Sequence, residues 1–296
     1  MGLLRTDVTH DIHRTLAPHR VGNDPTTLLS SHDFWRATLT PDGPGTLHLS
    51  WRDGELQAEA FGPGNQWMLD RAADLAGFAD TAHTFGPSAH AAVLRAQRRH
   101  PNLRLSNGHC LYHSLLPVII GQRVTTIEAH RSWRSLCLAL GEPAPGPVDL
   151  RLPPEPQRLR DQPYWWFHPL GIDRQRADVL RQAARHADRI FALDDSPATD
   201  ASQLLARIPG VGPWTIGATL GHALGDADAV AVGDYHLKNA VAFALVGEPR
   251  ATDERMLELL AQYAGQRARV IALLSLAGLA APKYGPRQRI LPMQRW

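Results

Sequence analysis

Between Phe34 and Phe61, apolar side chains fall on every second position: Trp35, Ala37 and Leu39, then Leu47, Leu49 and Trp51, then Leu56, Ala58 and Ala60. A two-residue period is that of a pleated strand. The segments PDGPG (Pro41 to Gly45) and RDG (Arg52 to Gly54) separate the three runs, so the pattern predicts an antiparallel meander with one face buried. A helix is expected over about Asn65 to Phe78. Beyond FGPS (Phe85 to Ser88) the apolar spacing becomes three and four, with Pro or Gly at the breaks, and Pro143 to Pro156 reads as a long connection between helices. The expected fold class is α+β. A small antiparallel sheet with helices forms an N-terminal domain at residues 1–88, followed by a mostly α-helical region at 89–296.

With 296 residues, 44% of them hydrophobic, the chain can bury one large core or two modest ones. No apolar run approaches the roughly 18 residues of a membrane span, and the start, MGLLRTDVTHD, turns polar within a few residues. These features lead to the expectation of a cytoplasmic protein with no membrane partner. Two cysteines, Cys110 and Cys137, supply neither a disulfide framework nor an iron-sulfur cluster and are expected to be buried small hydrophobes. His109 and His113 have helical metal-ligand spacing, but no acid or catalytic motif completes it.

Net charge is only +2, but it is unevenly placed. Arg95 to Arg134 holds seven arginines against the single acid Glu128, and Arg267 to Trp296 holds six basic residues and no acid. Either these are edges that face a polyanion, or they are solvated faces balanced by acids elsewhere in the fold.

The stretch RIPGVGPWT (Arg207 to Thr215) crowds two prolines and two glycines into five positions between helical segments. A helix over Asp200 to Ile208 would precede it, and Pro213 suits the first turn of another. Gly210 and Gly212 permit backbone angles closed to other residues and leave bare backbone facing outward. Successive N–H groups at a helix N-terminus make a seat for phosphate that needs no particular side chain. Farther on, Asp234 stands before a helix whose expected buried stripe is Leu237, Val241, Ala244 and Leu245, where an N-cap belongs. Capping and chemistry are compatible there, because backbone donors and the helix dipole favour a carboxylate in its charged form.

PGVGPW followed by Asp234 twenty residues after Trp214, within GDYHLK, resembles the helix-hairpin-helix DNA glycosylase superfamily, and most closely its bacterial 3-methyladenine glycosylase II branch. LLPVIIGQRVTTIEAH (Leu115 to His130) and PLGIDRQRADVL (Pro169 to Leu180) extend the resemblance. It implies an enzyme that flips an alkylated purine out of duplex DNA and cleaves its glycosidic bond, leaving an abasic site. Asp234 would be the catalytic carboxylate. Trp214, at the position where strand-cutting relatives carry a lysine, implies a monofunctional enzyme and an aromatic wall for the base, with Tyr235, His236 and Trp166 as further pocket residues.

By the same resemblance, Gln122, Arg123, Gly210, Val211, Gly212, Thr215 and Lys238 would contact DNA. Arg123 would either fill the hole left by the flipped nucleotide or hold a phosphate. The carbonyls of Ala206, Ile208 and Val211, within the hairpin at 207–214 and its flank, would hold a Na or K ion, and no other cofactor is expected. The partner would be double-stranded DNA containing damaged bases, bound by a monomer. His236, Ala277 and Gly278 depart from the family's pocket lining, so a damage sensor with little or no glycosylase activity is the alternative.

Overall fold

The computed structural model describes residues 2–5, 8–81 and 83–278, and the architecture below is that of those residues. Its sheet has five antiparallel strands, β1 (Gly2–Arg5), β2 (Thr27–Leu29), β3 (Asp33–Thr40), β4 (Gly43–Arg52) and β5 (Glu55–Phe61), in the order β1-β5-β4-β3-β2. The expected meander is the centre of this sheet. Its second turn takes the two-residue form that suits a hairpin, with positive φ at both Asp53 (53°) and Gly54 (81°). The first turn is shorter than PDGPG implied. β4 already begins at Gly43, so only Pro41 and Asp42 lie outside the strands. β1 and β2 are too short to show a period.

The expectation of a single buried face is wrong. Phe34 pairs with Leu49 and Trp35 with His48, so Trp35, Ala37 and Leu39 point away from the Leu47, Leu49, Leu56 and Ala58 side. Both faces are covered. Phe34, Leu47, Leu49, Leu56 and Ala58 pack on α1 (Ile12–Leu16) and α2 (Asn65–Leu75) through Ile12, Leu16, Trp67, Met68 and Ala72. Ala37 and Leu39 enter the core of the helical body. α2 also stops at Leu75, before Phe78, where Gly77 takes a φ of 87° and its N–H turns back to the Asp74 carbonyl.

The helical body continues with α3 (Ala91–Arg99), α4 (Leu111–Ile120), α5 (Thr126–Leu140), α6 (Pro156–Asp161), α7 (Arg174–Arg185), α8 (Ala187–Phe191), α9 (Ala198–Leu205) and α10 (Pro213–Ala223). α11 (Leu237–Val246), α12 (Asp253–Leu260) and α13 (Arg267–Leu276) complete it. α4 is the axis of the larger core, fully burying Leu111, Tyr112, Leu115, Leu116, Ile119 and Ile120 among residues of α5, α7, α8 and α9. α5 opens on a capping box, in which the Thr125 hydroxyl accepts from the Glu128 N–H and Glu128 accepts from the Thr125 N–H. α3 joins α11, α12 and α13 in a second helical cluster around Val93, Val241, Met256 and Val270. No helix among the described residues is long and apolar enough to cross a membrane. Cys110 and Cys137 are buried free thiols.

Candidate catalytic and nucleic-acid site

The hairpin connects α9 and α10. α9 spans Ala198–Leu205 instead of the expected Asp200 to Ile208, and Ala206 to Gly212 make the turn. Its two glycines do different things. Gly210 has a φ of 87°, and a Cβ there would overlap Val179 Cγ2 of α7. Gly212 needs no special angle. With φ −104° and ψ −177° it is extended, and a Cβ on it would meet nothing within 4 Å. Gly210 is exposed and Gly212 partly so, and it is Gly212 whose missing side chain leaves open space, at the N-cap of α10 with Pro213 at the first helical position. The Ile208 carbonyl already accepts from the Val211 N–H at 3.0 Å.

α10 carries Trp214 and Gly217 one turn apart. A Cβ at Gly217 would overlap the Val230 carbonyl oxygen, so the segment after α10 runs in direct backbone contact with the helix. That close approach brings Asp234 to Trp214. Asp234 Oδ2 accepts from Trp214 Nε1 at 3.1 Å, while Oδ1 accepts from the backbone N–H groups of His236 and Leu237, each at 2.8 Å. The residue flanking the first turn of α11 is His236, two beyond the position expected for the cap, yet the Asp234 side chain does the capping. The carboxylate is half-buried, at the surface rather than in the core.

Other contacts pin the same loop. Asp253, at the start of α12, accepts from the Gly233 N–H at 2.9 Å and from Lys238 Nζ at 2.9 Å. The charge of Lys238 is thus spent within the protein. Asp228 accepts from the Arg267 backbone N–H at 3.0 Å and forms an ion pair with its guanidinium, which holds the Asp228 carboxyl below the usual range against the opposing effect of burial. Asp253 and Asp228 were invisible as site supports in the sequence. Thr252, whose hydroxyl accepts from the Arg255 N–H, marks a helix start and nothing more. Within α11 the fully buried positions are Val241, Ala242 and Leu245, with Leu237 and Ala244 partly covered.

Across from the hairpin, the turn after α4 holds Gln122 and Arg123. Gln122 Nε2 donates to the Gly210 carbonyl at 3.0 Å and to Thr215 Oγ1 at 2.9 Å. Thr215 is itself 2% exposed, so its hydroxyl faces Gln122 and the interior. Arg123 is exposed, in the left-handed region at φ 59°. The Trp214 ring edge closes on this turn, 3.5 Å from where a Gly121 Cβ would lie.

Arg176, from the PLGIDRQRADVL segment, explains that segment physically. Buried at 2% exposure, it donates to the Ile120 carbonyl at 2.9 Å, to the Gly171 carbonyl at 3.1 Å and to Asp173 at 3.1 Å, the residue that caps α7. It thereby satisfies a carbonyl at the C-terminal end of α4, beneath the Gln122 turn.

Other expected site residues lie elsewhere or stand open. Trp166 is in a 3₁₀ turn at Tyr164–Leu170 that packs on α7 and α5, and its ring meets Phe167 edge to face at 5.3 Å. Tyr235 is 64% exposed, and His236 meets it edge to face at 5.1 Å. Ala277 ends α13 and Gly278 follows at φ 71°. Two clefts, of about 170 and 210 Å³, flank the segment His100 to Leu103 and touch none of these residues. His109 and His113 diverge: His109 bonds Asp74 and Asp195, and His113 bonds Thr26 and Thr38. The C-terminal basic run is not a free edge where it is described. Arg267 pairs with Asp228 and the buried Arg269 with Asp80, and the remaining four basic residues lie outside the described residues. By contrast, Arg95, Arg98 and Arg99 are exposed on α3.

No protein-family model matches the chain, and no curated protein matches it. Solved structures do. A 3-methyladenine DNA glycosylase from Archaeoglobus fulgidus superposes with a TM-score of 0.75 at 15% identity, covering 93% of this chain and 97% of its own. An 8-oxoguanine glycosylase/lyase from Clostridium acetobutylicum, bound to double-stranded DNA with cytosine opposite 8-oxoG, gives 0.66 at 10% identity over 90% of each chain. The 3-methyladenine DNA glycosylase of Schizosaccharomyces pombe, in complex with abasic DNA, gives 0.52 at 18% identity over 64% of this chain and 93% of its own. Sheet, helical body and hairpin together give this chain the α+β fold of these solved DNA glycosylases.

Proposed function

We propose that the protein is a monofunctional DNA glycosylase that flips alkylated purines of the 3-methyladenine type out of duplex DNA and hydrolyses their glycosidic bond. One observation carries this reading: Asp234 is held as an open carboxylate between the start of α11 and the indole of Trp214, on the loop that packs against the hairpin helix. A carboxylate offers about four acceptor sites, and three are used, so Oδ2 keeps one lone pair for a substrate. An N-alkylated purine already bears positive charge and leaves with the bonding electron pair. The sugar becomes oxocarbenium-like, and a fixed carboxylate stabilises that cation and orients the water that adds to it.

Trp214 supports hydrolysis without strand cleavage, because an indole cannot form the Schiff base that a lysine would. Lys238 is no substitute, since its amine is engaged by Asp253. The Trp214 face offers a surface that attracts an electron-poor base. In this reading Gly212 presents the bare backbone to a phosphate, and Arg123 enters the stack.

The test is incubation with methylated duplex followed by hot alkali, which should break strands at purines. Asp234→Asn should slow release by about two orders of magnitude or more while leaving DNA affinity near wild type. Full activity in that variant defeats the assignment, and a covalent complex trapped by borohydride defeats monofunctionality. A damage sensor is the second reading, favoured by the exposure of Tyr235 and by the edge-to-face packing of Trp166 on Phe167. It predicts binding to abasic DNA with no strand breaks in the same assay.

A further inference from the structure

The turn between α4 and α5 is clamped from two sides. Arg176 holds it from within through the Ile120 carbonyl, and Gln122 ties it to the hairpin through the Gly210 carbonyl and Thr215 Oγ1. An amide has two N–H donors, and Gln122 directs both at the protein. Between the clamps, Arg123 is exposed in a left-handed conformation and makes no hydrogen bond or ion pair among the described residues. A side chain as large as arginine stays in that conformation only where its neighbours impose it. The Gly210 that Gln122 is tied to lies close against α7, where a Cβ would overlap Val179 Cγ2, and takes a φ of 87° that an L side chain rarely adopts.

We infer that Gln122 is a positioning residue: it locks the Arg123 turn to the hairpin, so that gripping a strand and driving Arg123 into the base stack are one rigid-body event. The inference rests on the glycosylase reading for its consequence, but its geometry is a property of the free protein. A hairpin that grips backbone without the latch would bind undamaged duplex and fail to extrude a nucleotide efficiently. Thr215, buried beneath Gln122, is then the anchor of the latch and not a contact to DNA.

Hydrogen exchange on the full chain tests the latch without any substrate. The amides of Gly121, Gln122 and Val211 are bonded to the carbonyls of Pro117, Ile119 and Ile208. In Gln122→Ala they should exchange at least about fivefold faster than in wild type, with amides in the middle of α7 unchanged. Gln122→Glu keeps the shape but turns a carboxylate on the Gly210 carbonyl, and should behave the same way. Thr215→Val removes one of the two acceptors and should fall between.

On methylated duplex, Gln122→Ala should release base about tenfold more slowly in single turnover, with affinity for undamaged duplex within about twofold of wild type. Unchanged exchange in both Gln122 variants overturns the latch whatever the activity. Equal losses in duplex affinity and base release overturn its role in extrusion. If wild type releases no base while the exchange signature appears, the glycosylase reading fails and the latch is supported.

Discussion

Asp234 illustrates how much a single carboxylate depends on its neighbours. Its Oδ1 is fixed by two backbone donors and its Oδ2 by an indole N–H, so the side chain has one orientation. The Trp214 contact also gives that residue a role separable from stacking. Trp214→Phe keeps an aromatic face but removes the N–H, freeing Oδ2 to swing. Base release should fall about tenfold, the scale expected for losing one oriented hydrogen bond of roughly 1–1.5 kcal/mol. Affinity for abasic duplex should stay within about threefold. Loss of both to the same degree would mean that the ring alone matters.

At the level of elements, three glycines separate folding from function. Gly210→Ala puts a Cβ into Val179 at a positive φ, and Val179 is a stiff, buried side chain. Thermal unfolding should show a loss of about 2 kcal/mol or more, and DNA affinity falls with it. Gly212→Ala meets open space at an ordinary backbone angle, so stability should stay within about 0.5 kcal/mol of wild type. Its methyl group nevertheless covers the bare donor surface of α10, and duplex affinity should drop several-fold. Gly217→Ala overlaps backbone, which cannot yield as a side chain can. It should displace the Val230–Asp234 segment and reduce base release far more than duplex binding, measured in the same pair of assays. A Gly212→Ala protein with normal affinity would remove the hairpin from the proposed DNA contact.

At the scale of the whole molecule, a buried polar cluster joins Arg36 of β3 to His19 and Ser106. Arg36 Nη1 donates to His19 Nδ1 at 2.8 Å, and an arginine cannot give up its proton, so His19 is neutral with its Nε2 proton directed to Ser106 Oγ at 2.5 Å. Burial first, and the Arg36 charge second, hold His19, His113 and His222 below the ordinary imidazole range. Unfolded, each would take up a proton near its ordinary value of 6.5, while the folded chain does not. Stability is therefore full above about pH 6.5 and declines as pH falls below it, by up to about 1.4 kcal/mol per pH unit for each histidine.

Asp194 acts with the opposite sign. Burial, opposed by a hydrogen bond from the Leu111 N–H, pushes its carboxyl up to about 8, so the folded state retains a proton that the unfolded state loses, and stability declines as pH rises from about 4 to 8. Unfolding measured across pH 5 to 8.5 should show a maximum near neutrality. Asp194→Asn should flatten the alkaline limb and leave the acid limb in place, whereas an unchanged alkaline limb would remove Asp194 from the account.

Local chemistry made the strands β3 to β5, the hairpin and the Trp214–Asp234 spacing legible in the sequence, because strand period, glycine freedom and proline at a helix start act within a few residues. Register was decided by pairing across strands. It sent Trp35, Ala37 and Leu39 into the helical core, where a period of two can say that faces alternate but not which partner covers each. Likewise the sequence named Gln122, Thr215 and Lys238 as candidates for DNA but could not show that their polar groups are consumed by Gly210, by Gln122 and by Asp253. Those bonds join residues 15 to 93 positions apart, and the order of the chain carries no record of such distances. What the chain alone determined was which residues have the capacity for this chemistry. Only tertiary packing, through the close approach at Gly217 and the clamps of Arg176 and Asp253, decided which of their polar groups are left free.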